Sequence, residues 1–389
     1  MTGGKATAAL LTPRGRGAVA TIRYVGPPAL LDRYFTAGNG RMVAAQPLGR
    51  IVFGFWGAKD NSSGDDAATA REELVLCRTG EEEVEIHCHG GDAATRRILN
   101  DLSQLDCIEL DWFDQQRVRD GLFATECADA LTRALTERTA LLLLEQQGVL
   151  RRRLEELREL HWSPRDLTPQ RAALDELLRW SRFGLHLTKP WSVVLAGRPN
   201  VGKSSLINAL VGYTRSVVFD EPGTTRDVVT AETAFDGWPV QLSDTAGLRR
   251  EAEELEAAGI VRARETFAAA DCRVLVFDAS QPPHPDDQQL MHDWPDALCV
   301  ASKSDLPDAW GEMLPPHALR VSATTGTGLE ELITGIVRVI VPETPPAGTA
   351  LPITPRQVAL LEAAREAVHR ADEAAFRAAL KDLLSADLD

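Results

Sequence analysis

The first 110 residues alternate short apolar segments with polar, glycine-rich ones. Runs of β-branched and aromatic residues predict strands, because such residues pack well on a pleated, half-buried surface. The strands are expected at 17–25, 50–56, 73–77 and 83–91. Between the second and third lies a polar, small-residue loop at 58–72, and residues 92–105 then have the spacing of a helix. Strands and a helix in one segment predict an α+β domain.

After this domain the apolar positions recur at helical spacing, and Leu, Ala, Glu and Arg become abundant. The proline-containing stretch 163–169 interrupts the pattern before a second helical run at 170–184. From 190 to 341 strand and helix patterns alternate, which predicts a parallel α/β domain. A proline-rich linker is predicted at 341–355, followed by one last helix at 356–385.

These patterns predict, in order, an α+β domain, a helical segment, an α/β domain and a closing helix. The expected domains are the α+β domain, the first helical part, the α/β domain, and the linker with its closing helix, at 1–112, 113–186, 187–343 and 344–389.

The 389-residue chain has the composition of a globular protein. Its formal net charge at pH 7 is −15, from 57 acidic and 42 basic residues. On average such a charge repels nucleic acid and anionic membranes, so an RNA partner would need a local basic patch. The densest basic stretch is 151–165, which we interpret as a solvated helix face with Arg–Glu pairs four residues apart.

The six cysteines are scattered and form no Cys-x-x-Cys pair, which favours reduced, buried thiols in a cytosolic protein. The N-terminus has no apolar signal-peptide core, and apolar runs such as 140–144 are too short to span a bilayer. We therefore expect a cytoplasmic protein without a membrane partner.

The stretch 197–205 reads GRPNVGKSS, between an apolar strand pattern at 191–196 and a helical pattern at 206–212. Strand, glycine loop and helix in this order form a phosphate-binding P-loop, because the loop N–H groups and the helix dipole face the anion. Lys203 is expected to reach the β- and γ-phosphates of a nucleotide, and the Ser204 hydroxyl to bind Mg²⁺.

Four further motifs follow in the order that a GTPase domain requires. In GTTRD at 223–227, the Thr225 hydroxyl can bind Mg²⁺ and its backbone N–H can lie near the γ-phosphate. In DTAG at 244–247, Asp244 lies at the end of a predicted strand and can support Mg²⁺ from its outer shell. SKSD at 302–305 ends in an Asp that can accept from guanine N1–H and N2–H₂, while SA at 322–323 can meet the base carbonyl. Together they predict a doubly wound GTPase domain with its ligand loops at the strand C-termini.

The residues expected at the nucleotide are Asn200, Val201, Gly202, Lys203, Ser204, Ser205, Thr224, Thr225, Asp244, Thr245, Ala246, Gly247, Ser302, Lys303, Asp305, Ser322 and Ala323. Ser302 departs from the usual Asn-Lys-x-Asp motif. It is shorter than Asn and lacks the amide, so we expect retained guanine preference, carried by Asp305, with weaker binding.

The block from GRPNVGKSSLINALVG through DTAGLRR to GIVRA resembles the tRNA-modification GTPase family MnmE, also called TrmE. TPRGRGAVATIRYVG and EEVEIHCHGG, near the N-terminus, are similar to that family's first domain. The resemblance implies an α/β P-loop GTPase domain inserted in a helical domain and preceded by an α+β N-terminal domain. It also implies GTP hydrolysis in wobble-uridine tRNA modification, together with tRNA, a partner flavoprotein and a homodimer.

The resemblance also implies that a potassium ion beside the P-loop replaces an arginine finger. The family's potassium-binding positions fall on Asn200, Phe219, Glu221 and Thr224, the middle two acting through their backbone carbonyls. The family's water-positioning glutamate falls on Glu256, twelve residues after Asp244. By spacing alone Glu256 would be one charge among many, so the catalytic set expected from the resemblance and the P-loop is Glu256, Lys203 and Thr225.

In the family the first domain binds a formyl-tetrahydrofolate-like cofactor, and Arg23 and Glu85 fall on its contact positions. Each is equally well interpreted as a solvated strand residue. His87 and His89 share a strand face, but the match to the family's His-Gly-Gly turn argues against a metal site there.

The chain departs from the family at two places. Leu122 lies at or near a position where the family has Lys, and the printed sequence ends KDLLSADLD without the family's terminal Cys. We expect weakened folate binding and no use of a C-terminal cysteine. Two hypotheses stay open: a divergent tRNA-modification GTPase, or a regulatory or assembly GTPase that lost the modifying chemistry. A non-hydrolysing scaffold is disfavoured because the expected catalytic set and Asp244 are all present.

Overall fold

The computed structural model describes residues 5–15, 17–57, 71–213, 230–244 and 256–384, with backbone alone for 256–262. The chain divides after Thr125 into two compact units. Most of the polar loop predicted at 58–72 lies outside the described residues.

The first unit is built on an antiparallel sheet. Its strands are β1 (Thr7–Leu10), β2 (Val19–Val25), β3 (Phe35–Ala37), β4 (Ile51–Trp56), β5 (Glu72–Arg78), β6 (Glu83–His89) and β7 (Ile108–Leu110). In the described part of this unit they form one seven-stranded sheet in the order β3-β4-β5-β6-β2-β1-β7, and β7 pairs with β1 in parallel. Its helices are α1 (Asp92–Ser103) and α2 (Trp112–Asp120).

Alternation of burial fixes which side chains reach the core of this unit. In β6, Val84 and Ile86 are fully buried while Glu85 and His87 lie on the opposite, half-buried face. The four predicted strands and the predicted helix are confirmed. The sequence analysis missed β1, β3 and β7, because runs of three or four residues are too short to show periodicity.

The second unit combines helices with a second sheet. Its strands are β8 (Trp191–Ala196), β9 (Thr230–Phe235), β10 (Trp238–Asp244), β11 (Cys272–Asp278), β12 (Leu298–Ser302) and β13 (Leu319–Arg320). Its helices are α3 (Leu122–Thr132, which begins in the first unit), α4 (Glu137–Glu159), α5 (Thr168–Arg179), α6 (Ser181–Leu185), α7 (Lys203–Tyr213), α8 (Glu256–Ala269), α9 (Pro285–Asp293), α10 (Leu329–Ile340), α11 (Pro355–His369) and α12 (Glu373–Leu384).

The sheet of this unit runs in the order β13-β12-β11-β8-β10-β9 across the described residues. All neighbours pair in parallel except β9, which is antiparallel to β10 at the edge. The predicted parallel α/β domain is therefore confirmed with one exception. Because parallel strands end at the same edge, the loops after β8, β11 and β12 gather there.

The single helix predicted at 356–385 is wrong, since the chain forms α11 and α12 with a sharp turn between them. Ala371 has a left-handed backbone with φ 53°, a conformation that a continuous helix does not contain. The side chain of Asp372 then accepts a hydrogen bond from the N–H of Ala375 at 3.0 Å, which starts the next helix.

The proline-rich stretch predicted at 341–355 has no helix or strand before Pro355, which begins α11, yet it is packed against the helices. Leu351 and Ile353 are 1% exposed. The Leu351 N–H donates to the side-chain oxygen of Gln146 at 2.8 Å, and a Cβ added at Gly184 would lie 2.1 Å from the carbonyl oxygen of Pro352. The segment is thus docked rather than free.

All six cysteines are buried and unbonded, as the sequence analysis predicted. Burial raises the pKa of Cys88 and Cys107 to about 11 and that of Cys127 and Cys272 to about 12.

The basic stretch 151–165 runs along α4 and beyond it, with one Arg–Glu pair at the predicted spacing of four residues and another at a spacing of three. Arg151 lies 3.9 Å from Glu155, four residues on, and Arg153 lies 3.2 Å from Glu156. None of the helices in the described part of the chain is long and apolar enough to cross a membrane.

Candidate functional site

The loop between β8 and α7 is tightly wound against the sheet. Gly197 has φ 154°, and a Cβ there would lie 2.3 Å from the carbonyl oxygen of Val276 in β11. Gly202 has φ 99°, and Asn200 takes a left-handed backbone with φ 64°. Only glycine fits the first position, which explains why the loop can turn so closely over the end of the strands.

Lys203 begins α7 and is only 4% exposed. Its Nζ donates to the carbonyls of Gly197 at 3.0 Å and Arg198 at 2.9 Å, and lies 3.9 Å from Asp244 Oδ1. The ammonium thus sits inside the loop, at the N-terminus of an eleven-residue helix. A buried cation and a helix N-terminus together favour an anionic ligand.

Ser204 and Asp244 come together from two different elements. The hydroxyl of Ser204 donates to Asp244 Oδ2 at 2.9 Å, and Asp244 is 6% exposed at the end of β10. The register of β10 places Asp244 opposite Leu195 of β8, so the sheet itself aligns the carboxylate with the loop. Hydroxyl and carboxylate oxygens are the ligands that Mg²⁺ prefers, so this pair fits the ion.

A cavity of about 160 Å³ lies beside the loop, on the side of β12. It is lined by Gly202, Ser205, Leu206, Ser302, Lys303, Asp305, Leu306, Ala323 and Thr324. The structure therefore brings the P-loop together with the two sequence motifs predicted to read a base, and Asp305 is exposed towards solvent.

Lys303 links the loop 302–305, which we call the base-reading loop, to the P-loop by a hydrogen bond. It has φ 57°, and its Nζ donates to the Asn200 carbonyl at 3.0 Å and to Asp278 Oδ2 at 2.6 Å. Burial alone would raise the pKa of Asp278, but hydrogen bonds from Lys303 and Ser280 outweigh it and lower that pKa. The sequence analysis did not identify Asp278 as a site residue, although its position at the end of a predicted strand could have indicated this.

Ser302 is buried beneath the cavity at 5% exposure. Its Oγ lies 2.5 Å from the carbonyl oxygen of Val201 and 3.0 Å from that of Phe277. The hydroxyl therefore faces two main-chain acceptors, one in the P-loop and one in β11.

Ser322 shapes the turn that closes the cavity. Its hydroxyl accepts from the N–H of Thr325 at 3.1 Å, and its N–H donates to the carbonyl of Thr327 at 2.9 Å. Ala323 follows it on the cavity wall.

Part of the predicted site lies outside the described residues: Phe219, Glu221, Thr224, Thr225, Thr245, Ala246 and Gly247. Glu256 is the first residue of α8, and its side chain is not described.

A larger cavity, of about 360 Å³, lies on the other side of the loop, between Ala196–Pro199 and residues of α8 and α9. Its lining contains none of the residues predicted to contact the base, whereas Asp305 and Ala323 line the smaller cavity. The residues predicted to recognise the base therefore lie at the smaller cavity.

Arg23 and Glu85 are direct cross-strand partners in β2 and β6. Arg23 Nη2 lies 3.8 Å from Glu85 Oε1, and Arg23 Nη1 donates to Gln116 at 3.0 Å. Such a pair suits a partly buried strand face as well as a ligand contact, so both interpretations of these two residues stand.

The two histidines beside this pair have partners of their own. His87 Nδ1 lies 3.0 Å from the Thr21 hydroxyl, and His89 Nδ1 lies 2.7 Å from Glu72 Oε1.

Two family models match separate parts of the chain. A model described as the GTP-binding protein TrmE N-terminus matches residues 6–112, and one described as a 50S ribosome-binding GTPase matches 192–302. The tRNA modification GTPase MnmE of Synechococcus sp. (strain RCC307) is 32% identical over 408 residues, covering 93% of this chain and 86% of that protein. Those of Prochlorococcus marinus (strain MIT 9303) and Chloroflexus aurantiacus are each 33% identical, covering 96% and 98% of this chain and 89% and 92% of their own lengths.

Proposed function

This chain belongs to the tRNA modification GTPase MnmE family, and from that premise we propose that it binds GTP between the P-loop and the 302–305 loop and hydrolyses it to GDP and phosphate. The observation that carries the proposal is the position of Lys203, buried inside the loop and beside Asp244. In this arrangement the ammonium exchanges its two carbonyl contacts for the β- and γ-phosphate oxygens.

Ser204, with Thr225, would hold Mg²⁺, and Asp244 would support it from behind. A bound Mg²⁺ supplies positive charge to the β- and γ-phosphates as the terminal phosphoryl group leaves. The contribution of this chain is to position that charge, because phosphoryl transfer depends mainly on orientation and electrostatic stabilisation.

Asn200 and the loop 219–224 would hold K⁺, as the family resemblance implies. The exposed side chain and left-handed backbone of Asn200 support this, because they leave the residue at the open side of the loop. A K⁺ ion there supplies the charge that an arginine finger supplies elsewhere. Glu256 would orient the attacking water.

The base is proposed to lie in the 160 Å³ cavity with its Watson–Crick edge on Asp305. The deciding experiment is competition between GTP and ATP for the purified protein in Mg²⁺, with Lys203→Ala as the matched variant. We expect GTP to bind at least about a hundredfold more tightly than ATP and the variant to lose turnover. Equal affinity for the two nucleotides would sink the proposal.

We further propose that the α/β domain of residues 187–343 is an insertion in a helical domain made of 113–186 and 344–389. The support lies within the second unit, where Arg356 Nε and Nη2 donate to the carboxylate of Glu126 at 2.6 and 2.8 Å. Gln357 Nε2 donates to the same carboxylate at 3.0 Å, so a buried cluster joins α11 to α3.

For cellular role, we propose modification of tRNA wobble uridines by a homodimer acting with a flavoprotein, in the cytoplasm. The alternative is a regulatory or assembly GTPase, which Leu122 favours because it stands where the family has Lys. Analysis of wobble uridines in a deletion strain separates the two, since the alternative predicts unchanged nucleosides.

Titration with 5-formyl-tetrahydrofolate tests the first unit separately. Loss of a charge-assisted hydrogen bond at Leu122 predicts binding roughly ten- to a hundredfold weaker than an intact pocket gives. Tight binding would instead show that Arg23, Glu85 and their neighbours suffice.

A further inference from the structure

We propose that the cavity of about 360 Å³ between the P-loop and helices α8 and α9 binds a small aromatic molecule that carries a positive charge. This cavity and the one that contains Asp305 lie on different sides of the loop. The site is therefore separate from the proposed guanine site and does not depend on it. Three features of the cavity support the assignment: its size, its apolar wall and the charge of its rim.

The wall of the cavity is apolar and aromatic. Phe267 of α8 and Trp294, which directly follows α9, have ring centres 5.0 Å apart and ring planes at 89°, and Ala263 and Leu290 also line the cavity. Phe267 is 3% exposed, so its ring belongs to the core and presents a fixed surface. A volume of about 360 Å³ is at the lower end of the range for small-molecule sites, which suits a ligand with one ring system.

Both guanidinium groups on the rim have carboxylate neighbours. Arg264 Nη2 lies 3.1 Å from Asp293 Oδ2, and Gln289 Nε2 donates to the same carboxylate at 2.7 Å. Arg198 Nη1 lies 3.6 Å from Oδ2 of the buried Asp287. The positive charges of the rim are therefore already compensated by negative ones.

Asp286 is the rim carboxylate without a cationic neighbour among the described residues. Its side chain lies 3.4 Å from His284 Nδ1, but the Asp286 N–H donates to that same nitrogen at 3.2 Å. A ring nitrogen that accepts a hydrogen bond carries no proton, so His284 is neutral in this arrangement. Two compensated pairs and one spare carboxylate favour a cationic group on the ligand.

An aromatic cation satisfies both requirements. Its ring can pack on Phe267, Trp294 and Leu290 while its ammonium faces Asp286, since all four residues line one cavity. The Asp286 side chain is 69% exposed, so the ion pair adds only roughly two- to fivefold in affinity. The apolar wall therefore supplies most of the binding, and the carboxylate selects between ligands of opposite charge.

The test uses purified full-length protein and three indoles that differ mainly in the charge of their side chain. Tryptamine is cationic, tryptophol neutral and indole-3-acetate anionic at neutral pH. Binding is measured by line broadening in ligand-observed NMR at about 0.15 M salt, where charges beyond about 8 Å are screened. For a ligand of about a dozen non-hydrogen atoms we expect a dissociation constant for tryptamine of about 1 mM or below. Tryptamine should bind about threefold more tightly than tryptophol and about tenfold more tightly than indole-3-acetate.

Asp286→Asn is the deciding variant. It should bind tryptamine and indole-3-acetate within about twofold of each other, because the charge that separates them is removed. Asp296→Asn removes an exposed carboxylate outside the cavity lining, and it should keep the tenfold difference. Leu290→Trp places a larger side chain in the cavity and should weaken the binding of all three indoles at least about tenfold, with circular dichroism as the check that it is folded.

Equal affinity of the wild-type protein for tryptamine and indole-3-acetate would overturn the proposal. A difference that survives in Asp286→Asn, or one that disappears in Asp296→Asn, would overturn it as well, since charge elsewhere on the protein would then be responsible. Folded Leu290→Trp that binds the indoles like the wild type would place them outside this cavity. If that variant does not fold, the two aspartate variants still decide. Failure to bind GDP, with the indole series as expected, would overturn the proposed function and leave this site standing.

Discussion

The hydroxyl of Thr136 donates a hydrogen bond to the main-chain carbonyl of Gly237 at 2.7 Å. Thr136 caps the N-terminus of α4, and Gly237 lies in the two-residue turn between β9 and β10. This turn joins β9 to β10, and the hairpin lies in the sequence between Thr225 and Gly247, two residues of the predicted nucleotide site. A helix of the second unit therefore holds the hairpin that separates these two parts of the predicted site.

Arg138 adds to the contact between α4 and the β9–β10 hairpin, and its removal should make the hairpin more mobile. Its guanidinium donates to Asp236 and lies 4.2 Å from the ring centre of Trp238. Arg138→Ala should speed hydrogen exchange at 235–238 by about tenfold, since a cation–π contact and two hydrogen bonds disappear. Arg133→Ala, which removes an exposed pair on α3, should leave exchange there unchanged. Equal protection of residues 235–238 from hydrogen exchange in the two variants would show that Arg138 does not stabilise the hairpin.

Asp305→Asn should change base preference. The carboxylate is proposed to accept from two guanine donors, whereas an amide can donate to the C2 carbonyl of xanthine. We expect GDP affinity to fall by roughly ten- to a hundredfold and xanthosine diphosphate to gain. Asp296→Asn, in an exposed loop outside the cavity lining, is the control. Unchanged GDP affinity would remove Asp305 from the site.

Turnover should depend on the monovalent cation. We expect at least about tenfold faster GTP hydrolysis in KCl than in NaCl at equal ionic strength, because K⁺ stabilises the charge of the transition state. Asn200→Ala should lose most of this difference while keeping GDP affinity. Identical rates in the two salts would refute the potassium proposal and leave guanine binding untouched.

Glu256→Ala should lower turnover more than tenfold and leave nucleotide affinity within about twofold, because the residue is proposed to act on water. Glu265→Ala lies on the same helix with an exposed side chain, and it should behave as wild type. A variant at 256 with normal turnover would move water positioning to another residue.

Asp271 should make stability depend on pH. Burial alone would raise the pKa of this carboxyl, but hydrogen bonds from His186 and from the Ser192 hydroxyl and N–H outweigh it and hold it well below its usual range. A lowered native pKa stabilises the fold above the unfolded value of about 3.9, and this contribution is lost as the pH falls towards the native value. Asp271→Asn should therefore cost roughly 1–3 kcal/mol at pH 7 and less below about pH 4.

Urea unfolding at pH 7 and pH 3 measures this difference. Asp175→Asn, whose side chain is 64% exposed, should change the free energy of unfolding little at either pH. A destabilisation by Asp271→Asn that is the same at both values would show that packing rather than charge is responsible.

The parts of the fold that the sequence predicted are those whose signal is local. The alternation of Val84 and Ile86 with polar residues marks β6, and the glycines of 197–202 mark the loop between β8 and α7. The turn at Ala371 was missed because its signal is one capping carboxylate inside an unbroken helical pattern.

At the site, sequence spacing identified the P-loop and the base-reading loop but not how they are joined. Contacts of Ser302 with Val201 and of Lys303 with Asp278 cross 101 and 25 residues. Such pairs depend on which strands become neighbours in the sheet, and no local periodicity carries that information.

The six buried thiols make this chain convenient for spectroscopy. Maleimides and spin-label reagents attack thiolates, and burial shields all six side chains from them. For Cys88, Cys107, Cys127 and Cys272 a pKa of about 11 or 12 also leaves a very small ionised fraction at neutral pH. A single cysteine introduced at an exposed position, for example at Glu265, would therefore be labelled selectively with every native cysteine retained. Distances between two labelled copies could then be followed through a turnover cycle in otherwise unaltered protein.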